Sequence, residues 1–416
     1  MNVSNNTRKA YPWIVVGLLW MVALLNYLDR QMLSTMQPYM KISIEELDSA
    51  VNFGRLMAIF LWIYALLSPV SGIIADRMNR KWLIVGSLFV WSGVTMTMGY
   101  ASSFNQLYVL RAIMGVSEAA YIPAALSLIA DYHESKTRSL AVALHTTGFY
   151  LGQALGGFGA TVSATMSWQF TFHSFGLAGM LYSIVLILFL REKKVYGTDS
   201  AQKSTLKVEF SQAIKGAGML LGNIAFWVIL FYFSAPSVPG WATKSWLPTL
   251  FSNTLNMPME NAGPLATIVL AAASFIGVLT GGTLSDKWVQ SNLRGRIYTG
   301  AIGLLLTIPA LFLLGFGATV APVLAGAVCF GLGFGMFDAN NMPILCQFVS
   351  PRYRATGYGF MNMVGVSAGA FVTKVLGQSV DAGHLGRDFA LLSLVVVVAV
   401  ILQLTVLKPK TANMTA

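Results

Sequence analysis

Charge is what this 416-residue chain lacks. Only 10% of its residues are Asp, Glu, Lys or Arg, against roughly 25% in an ordinary globular domain. So few ionised groups cannot cover the surface of a soluble fold of this length, and a soluble enzyme or binding domain is excluded. Cysteine is nearly absent too: Cys329 and Cys346 lie in one apolar stretch, which excludes a disulfide framework. The four histidines, His133, His145, His173 and His384, are scattered without ligand spacing, so no metal site is expected. There is no Gly-rich phosphate loop ending in Gly-Lys-Ser/Thr. The near miss Thr243-Lys244-Ser245 lacks the glycine before its lysine, which excludes an ATP-driven pump. Without a nucleophile arrangement or paired metal motif, the chain is expected to be no enzyme and to need no cofactor.

Apolar residues are what is there, at 56% of the chain and a mean hydropathy of +0.65. Apolar runs fall at about 13–37, 54–75, 82–101, 105–131, 138–163 and 169–191, then at about 221–250, 262–286, 297–317, 320–348, 354–377 and 388–407. At roughly 20 residues per crossing, twelve such spans consume roughly 240 residues and leave room only for short loops. The expected fold is an all-α polytopic membrane protein of twelve transmembrane helices in two six-helix bundles. The bundles are assigned to 1–191 and 216–416, with a polar cytoplasmic linker at 192–215 between them. No cleavable signal is expected, because the polar start leads straight into a full-length span.

The net charge of +11 is distributed in a way that argues against nucleic acid. Most of the 27 lysines and arginines stand near the two ends, in the middle segment, and in the loops after spans 2, 4, 8 and 10. By the positive-inside rule both termini and the linker are cytoplasmic. The expected location is a bacterial inner (plasma) membrane, the lipid bilayer being the one extended partner. A monomer is expected.

The two halves echo each other. Gly72-Ile73-Ile74-Ala75-Asp76-Arg77 closes span 2, and Gly282-Thr283-Leu284-Ser285-Asp286-Lys287 closes span 8. A small residue allows close helix approach, and the acid–base pair can bridge the ends of neighbouring helices. Internal duplication around a midplane site is the architecture of many secondary transporters.

Gly72-x-x-x-Asp76-Arg77-x-Asn79-Arg80-Lys81, its weaker second copy, and Arg111-x-x-x-Gly115 resemble signature motifs of the major facilitator superfamily. Within it, Asn26-Tyr27-Leu28-Asp29-Arg30 with Arg111 and Glu118 resembles the anion:cation symporters of sugar acids and organic anions. Ala75 to Lys81 and Ser117-Glu118-Ala119-Ala120-Tyr121 are also similar to Spinster-type lipid and lysolipid carriers. The resemblance implies two pseudo-symmetric bundles that rock about a central cavity. It also assigns Gly72, Asp76, Arg77, Arg80 and Asp286 to a conformational latch.

An ionisable residue at the centre of a span costs at least about 2.5–3.5 kcal/mol, so it is a functional candidate by default. Asp29, Arg30, Arg111 and Glu118 qualify. A rise of about 1.5 Å per residue puts Arg30 and Arg111 in the same outer half, with Glu118 two turns deeper on the face of span 4 that carries Arg111. Arg30 and Arg111 are expected to clamp a carboxylate through paired hydrogen bonds. Glu118 is the expected proton-coupling group, Asp29 the second, and sodium is the alternative coupling ion. A competing reading has these charges pair only to pin span 1 to span 4, with Asp29 orienting its neighbour Arg30.

Other expected substrate contacts are Tyr27, Tyr64, Tyr150, Gln153 and Asn362, each equally able to serve as packing glue between helices. Pro236, Pro239 and Gly240 are expected to break span 7. Trp241 and Trp246 read as an interfacial belt, with stacking on a sugar ring the alternative, and Lys244 and Lys374 as stems snorkelling to water. Asp338 is expected to pair with loop arginines, and His145 is a modest proton-relay candidate. The function these features point to is proton-coupled import of a small carboxylated solute, a sugar acid or related organic anion. An exporter of an amphipathic lysolipid is the rival carrier, and an intramembrane enzyme or a transport-dead sensor the rivals of other classes.

Overall fold

Twelve helical spans run back and forth through the computed structural model, which describes residues 3–193, 218–222, 224–349 and 354–407. The side chains of 3–9, 73, 76, 77, 135, 136, 139, 225 and 355 lie outside the described set, and most of the expected linker does as well. The first bundle comprises α1 (Val3–Met40), α2 (Ala50–Arg77), α3 (Arg80–Met98), the broken pair α4 (Phe104–Ala119) and α5 (Tyr121–Tyr132), the pair α6 (Ser135–Gly156) and α7 (Gly159–Thr165), and α8 (Trp168–Phe189). The second comprises α9 (Ile224–Leu255), α10 (Met259–Trp288), α11 (Gly295–Phe316), the broken pair α12 (Val320–Asp338) and α13 (Asn341–Phe348), α14 (Arg354–Asp381) and α15 (Leu385–Val406). Ten of the twelve spans are long and apolar enough to cross a membrane by composition alone, among the described residues. Those outside that set are α6–α7 and α9. The chain is a multi-pass membrane protein of the fold expected from its hydropathy.

Local sequence sets the helix ends. The Asn79 side chain accepts from the Trp82 amide, Ser103 from Gln106 and Ser167 from Phe170, each satisfying an orphan amide at a helix start. Spans 4 and 10, which occupy matching positions in the two halves, each break three residues before a proline, at Ala120 before Pro123 and at Asn340 before Pro343. Proline removes one i→i−4 bond and crowds the carbonyl four residues back, so the interruption falls on the preceding turn.

Span 7 corrects an expectation. Despite Pro236, Pro239 and Pro248, α9 is one helix from Ile224 to Leu255. Proline is tolerated in a membrane helix where neighbours re-satisfy the carbonyls it frees. Pro248 frees the carbonyl of Lys244, and Gln31 Nε2 of the other half donates to it at 3.0 Å. The prolines thus create a docking point between halves.

The halves meet along α2 against α14 and along α6 against α10, with α1 approaching α9. Among the described residues, their mutual hydrogen bonds concentrate at the face opposite the termini. Asp381 accepts from the amides of Ala50 and Val51 at 2.8 and 3.1 Å and from Ser49 Oγ at 3.0 Å, so one half caps a helix of the other. Tyr39 Oη donates to Glu260 at 2.6 Å, and Thr161 Oγ1 to the Glu260 carbonyl at 2.8 Å. Two glycines permit the approach. A Cβ at Gly54 would meet the Thr373 carbonyl at 2.9 Å, and one at Gly263 the Gly157 carbonyl at 2.6 Å. The bond nearest the terminal face is Asn362 Nδ2 to Ser68 Oγ at 2.7 Å. The protein is therefore sealed on the far face.

A helix cap of this kind contributes about 0.5–2 kcal/mol. Asp381→Asn should accordingly lower the closed-to-open ratio of the far face by roughly 2- to 30-fold. Alkylation from the far face of a cysteine placed at Ser245, with Cys329 and Cys346 replaced, should accelerate in proportion. Unchanged labelling would remove Asp381 from the seal.

Candidate functional site

A cavity lies between the halves, lined among others by Tyr27, Arg30, Phe60, Arg111, Gln153 and Lys244. Its empty space, open mouth included, is about 490 Å³. Helical spacing builds each wall. Tyr27, Arg30, Gln31 and Ser34 follow one stripe of α1, and Trp241, Lys244 and Ser245 one stripe of α9.

Glu118 is the electrostatic hub. It is fully buried at the end of α4, two residues before the break at Ala120. Its Oε2 accepts from Arg30 Nε at 2.6 Å and from Asn26 Nδ2 at 2.9 Å. The Arg30 guanidinium lies over the rings of Tyr27, Phe60 and Tyr64 at 5.2, 4.9 and 4.7 Å. Its Nη2 is buried with no protein partner. Arg111, 3% exposed, lies over the same Phe60 ring, 4.7 Å from its centre. It donates only to Met114 Sδ at 3.2 Å, leaves its Nε unpartnered, and makes no ion pair among the described residues. Two guanidinium groups thus face one cavity with hydrogen-bonding capacity that the protein does not use.

Asp29 points elsewhere. It is buried toward α3, where Thr95 Oγ1 donates to it at 3.4 Å, so it does not orient Arg30 as its sequence position suggested. Tyr27, Tyr64 and Gln153 sit at the cavity or against its arginines. Tyr150 packs edge-on against Phe275 of the other half, and Asn362 is committed to Ser68. Both are joints between halves in this conformation. Lys374 is exposed, as a snorkelling stem would be. His145 is buried against Tyr121 Oη at 2.9 Å and reaches the cavity-lining Tyr27 only through the ring of Phe149.

Four side chains depart from their sequence reading. Trp246 is fully buried, with Nε1 donating to the Thr373 carbonyl at 2.9 Å, and Trp241 lines the cavity; neither forms an interfacial belt. Lys244 does not snorkel outward but lines the cavity, its ammonium 5.0 Å from the Trp241 ring centre. Among the described residues Asp338 pairs with no loop arginine; it accepts from Asn341 Nδ2 at 3.1 Å and lies within electrostatic reach of Lys244. Each follows from the continuity of α9, which carries Trp241 and Lys244 past the point of the expected break. Asn26, Gln31, Phe60 and Ser245 were passed over as contacts in the sequence reading. The first two share a helix with Arg30, and their period was the available signal.

Of the latch residues, Asp76 and Arg77 have side chains outside the described set. Gly72 has open space around it. Arg80 forms an ion pair with Asp131, and Asp286 one with Arg296 at 3.2 Å. Both pairs stay within their own half.

Residues 19–373 match the model of the Major Facilitator Superfamily. The chain belongs to that superfamily. Its relatives are transporters, and this protein is a membrane transporter, not an enzyme. The chloroplastic ascorbate transporter of Arabidopsis thaliana is 25% identical over 411 residues, 92% of this chain and 73% of that protein. The 4-hydroxybenzoate transporter PcaK of Pseudomonas putida is 29% identical over 402 residues, 87% of this chain and 85% of PcaK. A crystal structure of a bacterial homolog of the human lysosomal transporter Spinster, inward-facing and unoccupied, has a TM-score of 0.77 at 21% identity. It covers 95% of this superfamily member and 96% of that chain. That likeness is one of fold.

Proposed function

We propose that this transporter is a proton-coupled symporter that imports a small carboxylated solute, a sugar acid or related organic anion, by alternating access. The observation that carries the reading is the pair of arginines at the cavity, Arg30 with Nη2 and Arg111 with Nε unpartnered. A buried guanidinium without an anion is costly, and a carboxylate matches its planar donor fork. The names of two relatives agree at the level of an organic anion: 4-hydroxybenzoate is a carboxylate and ascorbate an enolate, both ionised at neutral pH.

Glu118 supplies the coupling. Ionised, it occupies Arg30 Nε; protonated, it releases that donor to the solute. Proton and anion therefore enter together. Residues 1–191 and 216–416 are the two bodies that rock, with 192–215 linking them. With both termini in the cytoplasm of a bacterial cell, the conformation described above is sealed outside and faces inward. The protein acts as a monomer in the inner membrane, and Asp76, Arg77, Arg80 and Asp286 latch the opposite, outward-open state.

The apolar part of the lining, Met57, Phe60 and Leu61, favours a second reading, an amphipathic anion of the lysolipid class. Binding to purified protein in detergent separates the two. Uronates and aldonates should bind, neutral sugars of the same size should bind at least roughly tenfold more weakly, and lysophospholipids should not compete. A neutral sugar that binds as tightly as its acid overturns the arginine clamp. Displacement of the acid by lysophospholipid at lower concentration favours the second reading.

A further inference from the structure

Among the described residues Lys244 is the one cavity-lining cation contributed by the second half, and none of the contacts just proposed uses it. It is half-buried. Its ammonium lies 5.0 Å from the ring centre of Trp241 and 5.9 Å from that of Phe334. Aromatic faces hold an ammonium in place but satisfy none of its three donors as a carboxylate would. Among the described residues Lys244 makes no ion pair. Asp338 is near but is engaged by Asn341 at 3.1 Å and stays beyond ion-pair distance. The backbone at Lys244 is fixed from across the interface by the 3.0 Å bond from Gln31 to its carbonyl. The side chain thus starts directly opposite the α1 stripe that carries Arg30.

Among the described residues the cavity therefore presents unused donors on one wall, Arg30 Nη2 and Arg111 Nε, and an ammonium without an ion pair, Lys244, on the other. A monocarboxylate would satisfy only one wall. We infer that the solute carries a second anionic group at its far end, and that Lys244 receives this group while the arginines hold the first. This rests on the arginine clamp proposed above and specifies its substrate as a diacid. The same solute would tie the two halves together, because its ends are held by different bundles.

Matched pairs of acids test this in detergent-solubilised full-length protein. D-gluconate is compared with D-glucarate, which adds a carboxylate at the far carbon, and with 6-phospho-D-gluconate, which adds a phosphate there. Benzoate is compared with terephthalate as an aromatic pair. At least one diacid should bind wild-type protein roughly tenfold or more tightly than its monoacid. Lys244→Gln should reduce that ratio to near one while changing monoacid affinity less than about threefold. Lys244→Arg should restore most of the ratio, and its melting temperature shows that the site is intact. A preference for 6-phospho-D-gluconate over D-glucarate identifies the second group as a phosphate, and the reverse as a carboxylate. If monoacids bind but no diacid binds more tightly, or if the preference survives Lys244→Gln, the role of Lys244 is overturned and the arginine clamp stands. If no acid of any series binds, both fall.

Discussion

Glu118→Gln should abolish uphill uptake driven by a pH gradient while leaving solute exchange within roughly threefold of wild type. Glutamine keeps an oxygen to accept from Asn26 Nδ2 and Arg30 Nε, which stand 2.9 and 2.6 Å from the native carboxylate, so the local packing survives. What it loses is the ability to gain and release a proton. One proton carried down a gradient of two pH units is worth about 2.7 kcal/mol, enough for roughly hundredfold accumulation of a monoanion. In proteoliposomes the wild type should approach that ratio, and the variant should settle near one. Accumulation by Glu118→Gln would move the coupling role to Asp29, although Asp29 faces Thr95 rather than the cavity lining. A requirement for sodium at fixed pH would replace the proton as the coupling ion.

Arg111→Ala should weaken solute binding by roughly two orders of magnitude and raise the melting temperature. The two effects share one cause. Arg111 is 3% exposed and its Nε has no partner, so the folded protein bears the cost of an incompletely solvated cation. Alanine removes that cost from the empty transporter. It also removes the charge-assisted hydrogen bonds to the solute, about 1.5–3 kcal/mol each. Arg111→Lys should recover little, because an ammonium lacks the planar fork and the stacking on Phe60 at 4.7 Å. Equilibrium binding and thermal unfolding of the same preparations check both signs. A fall in melting temperature with unchanged affinity would make Arg111 a packing residue of α4. Arg30→Ala differs in kind: it strands the buried Glu118 carboxylate, so affinity and stability should fall together.

The division between what sequence and fold each decide runs along the helix axis. Position along a helix was legible. A bilayer requires every backbone polar group to be satisfied within its own segment, so apolar length alone located the twelve spans, while the caps at ends such as Asn79 and Ser103 came from the structure. Depth followed from residue count, which is why Arg30, Arg111 and Glu118 were expected near one another and are found around Phe60. Rotation about the axis was not legible in the same way. Neighbouring residues of a helix project about 100° apart, so Arg30 turns to the cavity and Asp29 to Thr95 although they are adjacent in the chain. Partners in the other half were also hidden. Whether three prolines break α9 depends on whether a group such as Gln31 can take up the freed Lys244 carbonyl, and that is a contact over 213 residues. Hydropathy registers how apolar a segment is, but not which neighbour its one lysine meets. Only the packing of α9 against α1 decided that Lys244 lines the cavity instead of reaching for water.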